Sequence, residues 1–468
     1  MSLVKPVDPI AAEDLGRVHF IGIGGAGMSG IARILLKRGA VVSGSDARGS
    51  ELLGELRELG ARVHVGHAAS HVGNADTVVV STAIRDSNPE LGEALRRGLR
   101  VIPRAAALAS VMAGRTGVAV AGTHGKTTTT SMLTVALQKC GVDPSYCVGG
   151  QLLTTGLGAD EGAGGVFVAE ADESDGSFLM LAPDIAVVTN VEPDHLDNYG
   201  DPRAVYDGFA RFAERVGGCM VLCADDPGSA ALAPIAAARG LRVVTYGESG
   251  EAGVRVGGIV PEGLGVSFTV AGHGPVRLAV PGRHNALNAA AAIAVAAELG
   301  VSFGEMRDGL AAFGGAKRRF EAKGEAGGVA VFDSYAHHPT ELAADLRAAR
   351  DVVASFSGSG RVVAVFQPHL YSRTRFFADG FGQALGLADE VVVLDVYGAR
   401  EDPEPGVSGA LVAERVPLPS ERVAYAPRRE EVAALVAGRA RPGDVVLTMG
   451  AGDVTELGPL IVAELAAR

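Results

Sequence analysis

Val118-Ala-Val-Ala-Gly-Thr-His-Gly-Lys-Thr-Thr-Thr-Thr130 is a short apolar strand that breaks into glycine and then enters a helix carrying a lysine and four threonines. The pattern predicts a strand over Val118 to Ala121 and a helix over Lys126 to Gln138, joined by a phosphate cradle. Gly122 and Gly125 let the backbone turn so that successive N–H groups and the positive end of the helix face an anion, and Lys126 adds a full charge there. Thr123, His124 and Thr128 complete the loop, and the Thr127 hydroxyl stands where a phosphate-bound Mg²⁺ takes a ligand. The Gly-x-x-Gly-Lys-Thr spacing is two residues shorter than the general nucleotide loop, so this one is a variant. An isolated Gly-Lys-Thr equally suits a plain turn with an exposed lysine, but the strand before it and the helix after it are the context the motif demands.

Outward from this loop, 468 residues exceed a single core and suggest about three domains. A chain that is 47% hydrophobic and 21% charged is that of an ordinary globular protein. Its 65 glycines fall mostly at strand ends and turns, which alternating βα units need in number. The net charge of −12 argues against nucleic acid or an anionic membrane as partner. Met1 to Gly16 shows no secretory signal and no apolar run approaches membrane-helix length, so a cytoplasmic protein without a membrane anchor is expected. Cys140, Cys147, Cys219 and Cys223 form no disulfide framework; the last two flank a strand-like stretch without a histidine pair and read as buried thiols rather than a zinc site.

Upstream, a strand over Arg17 to Ile23 enters Gly22-Ile-Gly-Gly-Ala-Gly27 and a helix through Met28 to Arg38. Gly22, Gly24 and Gly27 match a dinucleotide-type Gly-x-Gly-x-x-Gly, Gly25 lies inside it, and a second strand over Ala40 to Ser43 leads to Asp46, the usual place for a ribose-binding acid. Further strands at Ala61 to Val65, Thr77 to Ser81 and Arg100 to Ile102 complete an α/β nucleotide-type domain of residues 1–113.

In residues 114–315, strands Gly165 to Ala169 and Asp184 to Thr189 end in Glu170-Ala-Asp-Glu-Ser-Asp175 and Asn190-Val-Glu-Pro-Asp-His-Leu-Asp197. Ligands of open parallel sheets bind at strand C-ends, so both turns belong beside Lys126, where carboxylates and an imidazole suit Mg²⁺. Short strands over Val254 to Val280 precede Pro281-Gly-Arg-His-Asn-Ala-Leu-Asn-Ala-Ala290, in which Asn285 and Asn288 share one helix face; capping by Asn285 is the plainer alternative. A third segment, residues 316–468, follows a joint near Gly315-Ala-Lys-Arg-Arg-Phe-Glu321. Its strands Val329 to Asp333, Val362 to Phe366, Glu390 to Leu394 and Asp444 to Thr448 again end in polar turns. His337, His338, His369 and Arg373 could form a basic pocket for a carboxylate.

Taken together these motifs resemble the Mur ligases of peptidoglycan synthesis along essentially the whole chain. Gly22 to Gly30 looks like the uridine-diphosphate loop of the alanine-adding branch, and Gly122 to Thr128 like the family's ATP loop. The acidic turns look like its metal-binding turns, His284 to Asn288 like its adenine-side contact, and Ser334 to Pro339 with Phe366 to His369 like the amino-acid end of its site. The resemblance implies three α/β domains: Rossmann-like, then a P-loop-type ATPase sheet, then Rossmann-like again. It also implies ATP and Mg²⁺ as cofactors, with UDP-N-acetylmuramate and L-alanine as substrates. In this scheme Lys126 neutralises the transferring phosphoryl group, and Thr127, Glu170 and His195 hold the metal, with Glu173 a second carboxylate candidate. The loop residues Gly122 to Thr128, with Asn285, Asn288, Arg319 and Asp333, face ATP. Gly22, Gly24, Gly25, Gly27, Asp46 and His124 face the UDP-substrate, and Tyr335, His337, His369 and Arg373 the amino acid.

Three departures stand out. Asp333-Ser334-Tyr335 replaces a common Asp-Asp-Tyr, leaving open which residue meets the ATP ribose; Leu370 stands where many members carry arginine; and no lysine occurs between Glu192 and Arg242, so the carbamylated lysine of sister ligases has no candidate. Three further readings compete, the nearest a sister ligase that adds another amino acid, disfavoured by the N-terminal glycine loop and the missing lysine. A nicotinamide-dependent dehydrogenase explains the first glycine loop but neither the Lys126 loop nor the acidic turns. A non-catalytic nucleotide-gated protein explains the Lys126 loop but not the polar strand ends of all three segments.

Overall fold

The computed structural model describes residue 7 and residues 9–81, 83–356, 360–399 and 401–468. Residues 1–6 and 8 of the N-terminal stretch, and the side chain of Asp197 at the end of the second acidic turn, lie outside what is described. The chain divides into two compact units, Met1–Arg255 with Asn288–Leu310, and Val256–Leu287 with Ala311–Arg468.

The first unit holds two sheets. One comprises β1 (Val18–Ile21), β2 (Val42–Asp46), β3 (Arg62–Val65), β4 (Thr77–Val80) and β5 (Arg100–Pro103), all parallel in the order β3-β2-β1-β4-β5. That is the dinucleotide-binding order, with its switch point beside β1. The second comprises β6 (Thr116–Ala121), β7 (Ser145–Cys147), β8 (Ala159–Asp160), β9 (Val166–Glu170), β10 (Ile185–Val188), β11 (Cys219–Cys223) and β12 (Arg242–Gly247). They run in the order β8-β7-β9-β6-β10-β11-β12 and only β8 is antiparallel. β7 has three residues and β8 two, too few for any periodicity to announce them. Val254 and Arg255 of β13 (Val254–Glu262) pair with β12. In the second unit the rest of β13 forms an antiparallel meander with β14 (Gly265–Val270) and β15 (Gly274–Leu278), within the stretch expected to hold short strands.

The sheet of the second unit is β16 (Glu321–Ala326), β17 (Val329–Ser334), β18 (Val362–Phe366), β19 (Glu390–Val393), β20 (Val423–Tyr425) and β21 (Val445–Met449). Its order is β16-β17-β21-β18-β19-β20, and only the β16–β17 pair is antiparallel. In β18, Val362, Ala364 and Phe366 enter one core while Val363 and Val365 enter the other. Helices cover both faces, and this two-sided burial is why such strands read as unbroken apolar runs rather than alternating ones. Cys147, Cys219 and Cys223 are buried free thiols, as the sequence suggested for the last two. No helix among the described residues is long and apolar enough to cross a membrane.

One buried carboxylate pins the first sheet where it meets the glycine loop. Glu90 is fully buried and takes hydrogen bonds from the Ser45 hydroxyl at the end of β2 and from the Ala68 N–H; its oxygens also lie 3.1 Å from His19 Nε2 and from His71 Nδ1. Burial alone would raise its pKa, but these bonds, led by His19 and Ser45, outweigh that and hold the carboxyl at about 2. A native pKa below the unfolded value stabilises the fold fully above about 4.5, and the contribution disappears as pH falls from there toward 2. Glu90→Gln is therefore expected to cost about 1–3 kcal/mol at pH 7 in urea unfolding. Its deficit against the parent should narrow once the pH drops below about 4.5.

Candidate active site

The site grows from β6, which lies between β9 and β10, so three adjacent strands release their C-ends together. Gly122 follows β6 at φ +132°, and a Cβ there would lie 2.0 Å from Thr189 Oγ1. Gly125, at φ +81°, begins the helix Lys126–Lys139, and a Cβ there would lie 2.9 Å from Asn288 Oδ1. Only glycine allows both the turn and these approaches. β10's exit clamps the loop from the far side. The His124 N–H donates to Asn190 Oδ1 at 2.8 Å, the His124 carbonyl accepts from Thr189 Oγ1 at 2.6 Å, and Thr123 exchanges hydrogen bonds with Glu192. His124 Nε2 lies 3.3 Å from Glu192 Oε2.

Within this frame Lys126 folds back over the loop. Its ammonium donates to the carbonyls of Gly122 at 2.7 Å and Thr123 at 3.0 Å, and pairs with Glu173 Oε2 at 2.8 Å. Burial disfavours the ammonium, yet Glu173, Asp172 and Glu170 more than offset this and raise its pKa. Burial also pushes the Glu173 carboxyl up, to about 7, against the pull of Lys126. On the other side, the Thr127 hydroxyl donates to Glu170 Oε1 at 3.0 Å while the Gly149 N–H donates to Oε2 at 2.7 Å. His195, at φ +53°, brings Nε2 to 3.8 Å from Glu173 and 3.5 Å from Asp194. Thr127 with Glu170, and Glu173 with His195, thus form two pairs beside Lys126. A hydroxyl, two carboxylates and an imidazole are a donor set that suits a hard divalent cation keeping several waters.

The first glycine loop is closed by its own acid. Asp46 is the last residue of β2, three residues beyond the expected strand end, and Oδ2 accepts the Gly24 N–H at 2.9 Å. A Cβ on Gly24 would meet that same oxygen at 2.9 Å, while Gly22 turns at φ +85°. The helix then starts at Ala26 with Gly25 as its cap.

In the second unit Tyr335, His337 and His369 form a ring sequence, with centroids 5.2 and 6.2 Å apart, continued by Tyr397 at 5.9 Å from His369. Arg319 lies over the Tyr335 ring at 5.4 Å with Nη1 4.0 Å from Glu341. Arg373 is buried in the helix Tyr371–Leu385, which opens from Leu370 at φ +67°. Three expectations shift. His338 packs against Phe377 at 4.6 Å instead of completing the histidine group. Asn285 lies inside the helix Arg283–Glu298, not at its cap, and donates to the Pro281 carbonyl at 2.7 Å. Asp333, expected toward the nucleotide, is fully buried: it accepts from Thr448 at 2.8 Å, Thr455 at 2.7 Å and Arg318 at 3.2 Å. With both oxygens committed inside the fold, Asp333 fixes Arg318 over Tyr335 rather than facing solvent.

Comparison with known proteins is decisive at this point. Residues 17–116 match the Mur ligase family, catalytic domain, residues 120–296 the Mur ligase middle domain, and residues 318–452 the Mur ligase, glutamate ligase domain. The chain belongs to the Mur ligase family. It is 62% identical over 473 residues to the UDP-N-acetylmuramate--L-alanine ligase of Thermobifida fusca (strain YX), covering 99% of this chain and 100% of that one. The ligase of the same name from Nocardioides sp. is 58% identical, with 99% and 100% covered. Among solved structures, the UDP-N-acetylmuramate-alanine ligase of Thermotoga maritima aligns with TM-score 0.79 at 28% identity, covering 96% of this chain and 98% of that one.

Of the residues that hold these groups in place, sequence reasoning did not single out Asn190, Thr189, Gly149, Arg104 or Arg318. Thr189, Asn190 and Arg104 stand at or just beyond strand ends, the signal that had marked their neighbours. Gly149 carried none. A methyl at Gly122 meets Thr189 and a disfavoured φ together. Gly122→Ala should therefore lower stability by about 1–3 kcal/mol in urea unfolding with an unchanged denaturant slope.

Proposed function

We propose that this chain ligates L-alanine to the lactyl carboxylate of UDP-N-acetylmuramate at the expense of ATP, a step of peptidoglycan precursor synthesis. The observation that carries the reading is end-to-end identity of 55–62% with relatives named for that reaction. The Lys126 loop and acidic turns supply the matching chemistry. The dehydrogenase alternative leaves that loop without a task.

In this reading residues 1–113 bind the UDP-substrate, 114–315 bind ATP and 316–468 receive the amino acid. A carboxylate oxygen attacks the γ-phosphorus, the bond to the β-phosphate oxygen breaks, and ADP leaves. The alanine amine, having lost a proton, then attacks the acyl carbon and phosphate departs. A carboxylate is a poor electrophile and phosphate a good leaving group, which is what ATP contributes. The protein's part is positioning and charge neutralisation.

Lys126 and the Gly125 helix start hold the transferring phosphoryl group, with Thr123, His124 and Thr128 around it, and Asn285, Asn288 and Arg319 face ATP. Thr127, Glu170 and His195 would hold Mg²⁺, with Glu173 as further donor; bound there it supplies positive charge against the phosphates. His195 is oriented for this by Asp194 and Glu173. Tyr335, His337, His369 and Arg373 receive the amino acid, whose carboxylate suits the guanidinium.

Phosphate release from ATP and Mg²⁺ tests the reading, with UDP-N-acetylmuramate added together with L-alanine, glycine, L-serine or D-glutamate. Release should require the sugar nucleotide and be fastest with L-alanine; no release from any combination would overturn it. Lys126→Ala should reduce kcat by about 10²–10³-fold or more while circular dichroism stays that of the parent.

A further inference from the structure

We infer that Arg104 is a substrate-binding residue whose guanidinium pairs with the diphosphate of the UDP-linked substrate and, in doing so, exchanges a weak contact to the acidic turn for that anion. The inference rests on the UDP-sugar reading above. It concerns a residue outside every motif so far assigned.

Arg104 is the first residue of the helix Arg104–Met112, immediately after β5, so the strand carries it to the same sheet edge as the glycine loop. Its guanidinium packs over Gly27: a Cβ on that glycine would lie 2.9 Å from Nη1 and 3.1 Å from Cδ. In dinucleotide folds the third glycine of the loop serves helix-to-strand packing. Here its bare α-carbon makes room for a cation. The closest approach along the same helix belongs to Gly30 instead, where a Cβ would lie 2.6 Å from Ala159. Gly27 sits in the first turn of the helix Ala26–Lys37, a turn without acidic residues, and a helix N-terminus already favours an anion. A diphosphate seated there meets the helix start from one side and Arg104 from the other.

The second end of the guanidinium supports the exchange. Nη2 donates to Asp172 Oδ2 at 3.4 Å, a single long contact between half-exposed groups, 29% and 41% accessible. Such a pair is worth little, whereas two-pronged pairing of a guanidinium with phosphate oxygens is among the stronger charge-assisted contacts.

The test is calorimetric affinity for UDP-N-acetylmuramate, and displacement affinity for UDP alone, with the parent, Arg104→Ala and Arg104→Lys. Phosphate-release kinetics on the same three proteins accompany it. Arg104→Ala should weaken both ligands by tenfold or more and by the same factor, with KM for ATP changed less than threefold. Arg104→Lys, which keeps the charge and the reach to Asp172 but not the fork, should recover only part. Equal affinity of all three proteins for both ligands would overturn the inference and leave Arg104 a tether. A loss confined to UDP-N-acetylmuramate would overturn it too, because the guanidinium would then be meeting the lactyl carboxylate. A parent protein that binds both ligands yet releases no phosphate counts against the ligase reading and not against Arg104; should Arg104→Ala fail to fold, Arg104→Lys alone decides between equal and weakened affinity.

Discussion

The polar groups at the ends of β6, β9 and β10 hang on the absence of one side chain, at Gly122. The chain leaves β6 at φ +132° with the Thr189 hydroxyl occupying the space a Cβ would need. That approach locks the exit of β6 against the exit of β10, and β9 on the other side delivers Glu170 to the same edge. A parallel sheet places its C-ends on one side, so the two tight turns bring Glu170 and the Asn190 loop to the same edge. Thr123, His124 and Asn190 then have no choice of partner: their backbone and side-chain groups satisfy one another across the two loops.

The electrostatic consequence is a preassembled lysine–carboxyl pair. Lys126 is held by two carbonyls and Glu173, and Glu173 in turn is nearly inaccessible to water, with its own carbonyl accepting from Tyr199 at 2.7 Å. A buried pair of this kind contributes little net stability, since desolvation consumes most of the attraction. What it secures is a lysine whose position is fixed before any phosphate arrives. Fixed dipoles and charges need no reorganisation during reaction, which is where their advantage over water lies.

The same device recurs away from the lysine. Glu90 ties the ends of β1 and β2 to the following loop, and Asp333 ties Arg318 to Thr448 and Thr455. Each carboxylate is fully buried and surrounded by donors. Removing the donors would leave a buried charge without compensation, so these positions resist substitution for reasons that have nothing to do with touching a ligand.

The central strands of all three sheets, the two glycine loops and both acidic turns were legible in the sequence because each is a local pattern, whereas β7, β8, β12, β16 and β20 were not. Unbroken apolar runs mark strands buried on both faces, glycine marks a turn that needs positive φ or close approach, and a lysine at a helix start marks an anion site. Those patterns, with the resemblance they carry, determined the α/β class and the family. Pairing across distance was not legible. That Asp46 closes its own loop, that Asp333 turns inward, that Arg104 lies between Gly27 and Asp172, and that His338 joins the Phe377 cluster all depend on residues tens or hundreds of positions apart in sequence. A carboxylate's role is set by which donors reach it. That is decided by the strand order and the packing of helices on the sheets, which no local spacing encodes.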